Sequence, residues 1–121
     1  MILTKAEENL MRHLWKIKKG TVKEITVLYE DSKPATTTIL TLLKRLTDKN
    51  CVAYDKDSRY RNYYPLISKE KYFMQNMKEL VKNFFSDSPK QFASFYAEKA
   101  DLSKEDLESI KAIINSKIEE K

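Results

Sequence analysis

Helix-start signals recur along the whole chain and constrain its fold more than any other feature of the sequence. Thr4 stands three residues before Glu7, and Thr21 stands three residues before Glu24; both spacings are typical of the capping box that opens an α-helix. Further helix caps are predicted at Ser68, Ser88 and Ser103. Only one glycine and three prolines occur in 121 residues, too few for a fold built on many tight β-turns. The sequence therefore predicts a mainly α protein.

Three helices are predicted in the first part of the chain. Apolar residues share one helical stripe within residues 10–17, and the stripe ends before Gly20, a natural helix stop. A second, shorter helix follows the second capping box. The third begins at Pro34 or Ala35, because proline suits a helix entrance, and extends to about Lys49.

Residues 51–66, CVAYDKDSRYRNYYPL, differ in character from the segments around them. Two β-branched and aromatic runs flank a polar turn, and a proline ends the second run, as is typical of a β-hairpin. Three helices followed by a two-stranded hairpin is the order of a winged helix-turn-helix, whose third helix enters the major groove of DNA. A winged-helix DNA-binding domain is therefore predicted over residues 1–67.

The net positive charge is concentrated in this same part of the chain. Residues 1–67 hold thirteen Lys and Arg against eight acidic residues, whereas residues 68–121 hold ten of each sign. The whole excess of +5 therefore lies in the first part. A moderate basic excess there favours a polyanionic partner, namely double-stranded DNA.

The predicted third helix carries threonines where a DNA-reading helix faces its groove. A helical wheel places Ile39 and three leucines on one side, with Thr37, Thr41 and Lys44 opposite and Arg45 at the margin. Short hydroxylated side chains let a helix approach base edges, while Lys and Arg reach phosphate or guanine. An ordinary solvent-exposed helix face of the same composition is the alternative interpretation.

The hairpin turn contributes further cations. Lys56, Arg59 and Arg61 are close together there, as in a wing that holds backbone phosphates. Asp55 and Asp57 reduce this positive charge. Tyr60, Tyr63 and Tyr64 are interpreted as packing residues of the hairpin, with base stacking as the alternative.

Residues 68–121 are predicted to form a helical dimerisation domain. They contain three helical segments with apolar faces, and about fifty residues are too few to cover that surface alone. A two-fold homodimer would cover it and would place two recognition helices on a palindromic site. The predicted dimer contacts are Phe84, Phe85, Phe92, Leu107, Ile110, Ile113 and Ile114.

No pattern typical of catalysis, cofactor binding or metal binding is found in the sequence. His13 is the sole histidine and lacks a nucleophile or carboxylate constellation, and Cys51 is the sole cysteine; both are expected to be structural or surface residues. No glycine-rich phosphate loop, long apolar run or signal peptide is present, so no membrane insertion and a cytoplasmic location are expected. The sequence predicts a non-enzymatic DNA-binding protein; a helical protein-interaction module without specific DNA binding is the alternative.

Three segments carry a resemblance to a known family: LTKAE near the start, TTTILTLLKRL and RYRNYYPLIS. They resemble the penicillinase and methicillin-resistance repressor family (BlaI/MecI/CopY type) over nearly the whole chain. The resemblance implies a homodimeric transcriptional repressor whose winged helix binds a dyad operator. It places the groove-facing positions at Thr36, Thr37, Thr41 and Arg45, and the wing contacts at Arg59 and Arg61.

The same resemblance implies relief of repression by proteolysis. A membrane sensor protease signals, the repressor is cut in its dimerisation region, and the weakened dimer leaves DNA. The segment SFYAEKADLS would place the cut at the Ser94–Phe95 or the Phe95–Tyr96 bond. The copper-responsive branch carries a C-terminal cysteine cluster that this chain lacks, so copper sensing is not expected. DKNC replaces the usual Lys-Gly after the third helix, so that turn must form without glycine.

Overall fold

The computed structural model describes residues 2–30, 32–57 and 59–121. These residues form six helices and one antiparallel β-hairpin, so the predicted mainly α fold with a hairpin wing is confirmed. In chain order the elements are α1 (Lys5–Ile17), α2 (Val22–Val27), α3 (Thr36–Asp48), β1 (Val52–Asp57), β2 (Tyr60–Pro65), α4 (Lys69–Phe84), α5 (Pro89–Lys99) and α6 (Lys104–Glu120). None of the helices in these ranges combines the length and apolar composition needed to cross a bilayer.

The chain divides into two compact units, Met1–Asn76 and Met77–Lys121, here called the first and second unit. The first unit extends past the domain boundary predicted at residue 67, because it includes the start of α4. Tyr72 of α4 is buried; its hydroxyl accepts a hydrogen bond from the Leu3 backbone N–H (3.0 Å) and donates one to Glu8 Oε2 (2.6 Å). These contacts tie the first turns of α4 to α1, within the first unit.

The core of the first unit lies where α1, α2, α3 and the hairpin meet. α1 and α3 supply most of it from positions three or four residues apart, which all lie on one side of a helix. The buried side chains of these two helices include Leu10, Met11, Leu14, Ile39, Leu42, Leu43 and Leu46. Each such side chain stabilises the fold by about 1.5–3 kcal/mol when removed from water. Burying this side of α3 leaves its threonine-rich side in solvent.

α3 ends without a glycine, as the sequence predicts. Asn50 adopts the left-handed conformation with φ 60°, which asparagine tolerates better than most residues. Its backbone N–H donates to the Thr47 carbonyl (3.0 Å), and the Cys51 N–H donates to the Leu46 carbonyl (2.9 Å). This pair of bonds is a Schellman motif, and it directs the chain from α3 into β1.

Gly20 has a different role from the predicted helix stop, and that prediction is wrong. The left-handed residue at the end of α1 is Lys18, with φ 72°. Gly20 instead pairs with Tyr63 of β2: each backbone N–H donates to the other residue's carbonyl, at 2.9 and 2.8 Å. A Cβ at position 20 would lie 2.6 Å from Ile17 Cδ1. Glycine at this position therefore leaves room for the Ile17 side chain of α1.

His13 and Cys51 both have structural surroundings. The His13 ring packs against Tyr29 with centroids 4.4 Å apart, and burial lowers the pKa of this histidine, so the neutral imidazole is favoured. Cys51 is buried in the core, and burial raises the pKa of its thiol.

A buried carboxylate, Glu7, joins the start of α1 to the end of α3. It accepts a hydrogen bond from the Thr4 backbone N–H (2.8 Å) and two from Lys49 Nζ (2.8 and 2.9 Å). The Glu7 side chain is fully buried, whereas the Lys49 side chain is 37% exposed. Burial opposes ionisation of Glu7, but the hydrogen bonds from Lys49 and Thr4 outweigh it and hold the pKa of the carboxyl below its ordinary value.

Glu7→Gln is expected to lower the free energy of unfolding by about 1–3 kcal/mol at neutral pH, because it removes a hydrogen-bonded ion pair from the core. Since the folded-state pKa lies below the ordinary value of 4.5, the stabilisation is complete above that value and is lost as pH falls through the folded pKa. Urea denaturation at pH 7 and about pH 3 measures both effects. Wild type should lose more stability on acidification than the variant.

Glu108→Gln is the matched control, since it removes the same charge from an exposed position on α6. It should leave the free energy of unfolding within about 0.5 kcal/mol of wild type. Equal acid sensitivity of wild type and Glu7→Gln would contradict the role assigned to Glu7.

Candidate nucleic-acid interface

The solvent side of α3 carries the side chains predicted to contact DNA. Its opposite side is held in the core by four buried apolar residues, which orients the polar side outward. The predicted residues on it are all exposed: Thr36, Thr37, Thr41, Lys44 and Arg45. These five side chains are called the threonine face below.

Local hydrogen bonds on the threonine face decide what two of its side chains can offer a ligand. The Thr41 hydroxyl donates to the Thr37 carbonyl (2.9 Å), so its oxygen remains available as an acceptor. Such an acceptor suits the amino groups of adenine or cytosine. Lys44 Nζ lies 3.4 Å from Asp48 Oδ2, and both side chains are mostly exposed. An exposed pair of this kind is weak, so Lys44 can turn toward a phosphate.

The hairpin is packed by its tyrosines and carries cations beyond them. Lys56 lies opposite Arg61, and Tyr54 lies opposite Tyr63, with the two tyrosine rings 5.4 Å apart. The Arg61 guanidinium lies over the Tyr54 ring, 4.3 Å from its centroid, which restricts its position while leaving it exposed. These contacts support the packing interpretation for Tyr63, which is buried, whereas Tyr60 is 63% exposed.

One acidic residue of the hairpin is paired with a lysine from outside the hairpin. Asp55 Oδ2 lies 2.5 Å from Lys19 Nζ of the α1–α2 connection, and both side chains are about half exposed. The side chain of Asp57 lies outside the described residues. Arg59 is exposed at the turn between the strands.

A groove of about 730 Å³ lies between α2, the start of α3 and the hairpin. It brings Thr36 together with Arg59 and Arg61, which are far apart in the sequence. Lys23 and Lys33 also line it, and none of its described lining residues is acidic. We call it the basic groove, after the four cations that line it: Lys23, Lys33, Arg59 and Arg61. It gives the first unit a concave, positively charged surface next to the threonine face.

The structure does not bring all the predicted contacts into one depression. Thr37, Thr41 and Arg45 line a separate shallow depression of about 220 Å³ on α3, and Lys44 lines neither depression. Lys23 and Lys33 were missed in the sequence. Their positions could have indicated a role in DNA binding, because Lys23 lies in the second predicted helix and Lys33 directly precedes Pro34 at the start of the third.

The predicted dimer contacts in the second unit form an exposed apolar surface. In residues 77–121, all of which the structure describes, no side chain is buried. Phe85 and Phe92 are half-buried and pack edge to face with centroids 5.5 Å apart. The other predicted contacts are more exposed: Phe84 (78%), Leu107 (42%), Ile110 (36%), Ile113 (63%) and Ile114 (51%).

The bonds predicted as cleavage sites lie inside a helix. Ser94, Phe95 and Tyr96 all fall in the middle of α5. The Phe95 ring lies 5.3 Å from the Phe85 ring, and Tyr96 stacks on Phe92 at 6.4 Å, yet about half of each of the two side chains is exposed. The middle of α5 therefore packs on Phe85 through a small aromatic cluster.

Comparison with known proteins places the chain in a family. Residues 3–116 match the family model described as penicillinase repressor. The chain is 25% identical over 118 residues to the methicillin resistance regulatory protein MecI of Staphylococcus aureus, covering 95% of this chain and 94% of that protein. The MecI proteins of Staphylococcus epidermidis and Mammaliicoccus sciuri match with the same identity and coverage.

Among solved structures, a cysteine-to-serine mutant of MarR from E. coli has a similar fold, with a TM-score of 0.50 and 11% identity. The match covers 96% of this chain and 78% of that chain. At this identity the likeness concerns the fold alone. Since the family model spans almost the whole chain, the protein belongs to the penicillinase repressor family and is a transcriptional repressor, as its sequence motifs predicted.

Proposed function

We propose that this repressor binds double-stranded DNA as a homodimer, with α3 of each protomer in the major groove of one half of a dyad operator. The observation that carries the proposal is the arrangement of the first unit, where the threonine face adjoins the basic groove. Cations that neutralise phosphates supply affinity, and polar side chains on a helix supply base recognition. The two surfaces suit these two tasks.

Each surface has its own role in the proposed complex. Arg59 and Arg61 of the hairpin, with Lys44, contact phosphates and position the protein on the duplex. Thr36, Thr37 and Thr41 face base edges, where a hydroxyl can accept or donate. Arg45, at the edge of the threonine face, reaches a guanine with two hydrogen bonds. Lys23 and Lys33 extend the phosphate-binding surface to the α2 side of the groove.

Dimerisation through the second unit is supported by its lack of a core. A unit of this size with no buried side chain cannot stabilise itself by its own packing. A second copy of the chain, related by two-fold symmetry, would cover the apolar surface with the same surface of its own. The proposed contacts are Leu107, Ile110, Ile113 and Ile114 of α6, together with Phe84, Phe85 and Phe92.

Proteolysis within α5 is the proposed route to release from DNA, through a pathway controlled by a membrane sensor protease. A cut at Ser94–Phe95 or Phe95–Tyr96 would separate α6, with its four proposed dimer contacts, from α4. A protease needs extended backbone, so α5 must open locally before cleavage. Within one protomer α5 buries no side chain, so opening it must break its helical hydrogen bonds and the proposed dimer contact at Phe92.

The proposal is tested by titrating the full chain against duplex DNA from the region upstream of its own gene. The titration is made at low and at moderate salt, and footprinting locates the bound site. A dimer that contacts about ten phosphates, five from each protomer, should give a slope of log K against log salt near −9, with a protected dyad. The alternative, a protein-interaction module, draws on the exposed apolar surface of the second unit. It predicts no protected dyad at any salt concentration.

A further inference from the structure

Leu40 is a large apolar side chain on the otherwise polar side of α3. It is 43% exposed, and its neighbours on that side are hydroxylated or cationic. A single exposed leucine is common on protein surfaces and indicates nothing by itself. Leu40, however, lines the basic groove together with two other exposed apolar side chains, Val27 (60%) and Tyr60 (63%). The groove thus has an apolar strip inside a rim of cations.

The combination of an apolar strip and a cationic rim restricts what the groove can hold. The rim carries Lys23, Lys33, Arg59 and Arg61, with no acidic residue among the described lining residues, and favours a negatively charged occupant. The strip requires that occupant to present an apolar group toward α3. In the major groove of DNA, which is lined by phosphates on both sides, the apolar group is the 5-methyl of thymine.

We propose that Leu40 determines specificity by contacting the 5-methyl group of a thymine in each half of the operator. This inference rests on the proposed function and names one base that the recognition helix selects. Leu40 lies between Thr36 and Lys44, one turn before and one turn after it. A thymine at this position would therefore lie between a base-reading threonine and a phosphate-binding lysine.

Replacing operator thymines with deoxyuridine, one symmetric pair at a time, tests the contact, since this removes the methyl group and keeps every hydrogen-bonding atom. For wild type, substitution at one symmetric pair of positions should weaken binding by about fifteenfold. This is about fourfold for each half-site, the effect of leaving one methyl group unburied. For Leu40→Ala, thymine and deoxyuridine operators should bind equally well at that pair. Cytosine methylated at carbon 5 should restore part of the lost affinity to wild type only.

Lys44→Ala is the matched control, because loss of a phosphate contact weakens binding to both operators alike and should preserve the wild-type preference for thymine. Thermal unfolding checks that Leu40→Ala folds, as expected for a side chain that lies outside the core.

If wild type is indifferent to deoxyuridine at every position, or Leu40→Ala keeps the preference, the inference is wrong although the repressor still binds its operator. If footprinting finds no protected dyad, the proposed function is wrong, and this inference is wrong as well.

Discussion

Arg45→Ala is expected to lower the affinity of the repressor for its operator by about thirtyfold to about twenty-five-thousandfold. A two-hydrogen-bond contact between arginine and guanine contributes about 1–3 kcal/mol, and the proposed dimer makes it twice. Arg45 lies beside Thr37 and Thr41 in the depression on α3, where it is exposed and available to a base. The titration should also show relaxed selectivity at the base pair that Arg45 contacts.

Arg12→Ala provides the charge-matched control for this experiment. Arg12 is exposed on α1 and lines neither the basic groove nor the depression on α3. Its removal should change operator affinity by less than about threefold, a purely long-range electrostatic effect. Comparable losses for the two variants would mean that Arg45 acts only through net charge, and the major-groove placement of α3 would be refuted.

Ile114→Asp is expected to convert the dimer into monomers at micromolar concentration and to reduce operator affinity by more than about a hundredfold. Ile114 is 51% exposed in a unit without buried side chains, so its packing partner in the proposal is the second protomer. An unpaired carboxylate in an apolar interface costs several kcal/mol. Two separate half-operator contacts then replace one joint contact, and the advantage of bivalent binding is lost.

Ser116→Asp adds the same charge to α6 on the side away from the isoleucine stripe, and serves as the control. Sedimentation equilibrium should find this variant dimeric and Ile114→Asp monomeric, while circular dichroism reports whether the helices persist. A dimeric Ile114→Asp protein with an intact footprint would rule out dimerisation through the stripe.

Features that depend on neighbouring residues could be predicted from the sequence. The capping boxes at Thr4, Thr21 and Ser103 are formed in the structure, and Pro89 opens α5 after the cap at Ser88. Helical periodicity predicted four members of the threonine face, Thr37, Thr41, Lys44 and Arg45, whereas Thr36 was predicted only from the family resemblance. Each of these features involves groups only three or four residues apart, so their geometry is set by the helix itself.

Features that join distant segments could not be predicted in this way. Gly20 was interpreted as a helix stop because its partner, Tyr63, belongs to a strand forty-three positions later. Glu7 was recognised as part of a capping box, yet its ion pair with Lys49 depends on how α1 packs against α3. The start of α4 belongs to the first unit because Tyr72 enters it, and the apolar pattern of α4 is continuous across that point.

The sequence by itself determined the helices, the hairpin and the polar side of α3, because periodicity and caps act over single helical turns. It also carried the motifs that identify the family. Only the tertiary structure decided which cations share one surface. Lys23 and Lys33 join Arg59 and Arg61 around the basic groove because α2, the approach to α3 and the hairpin pack on a common core. That packing depends on contacts between residues far apart in the chain, and no local pattern specifies them.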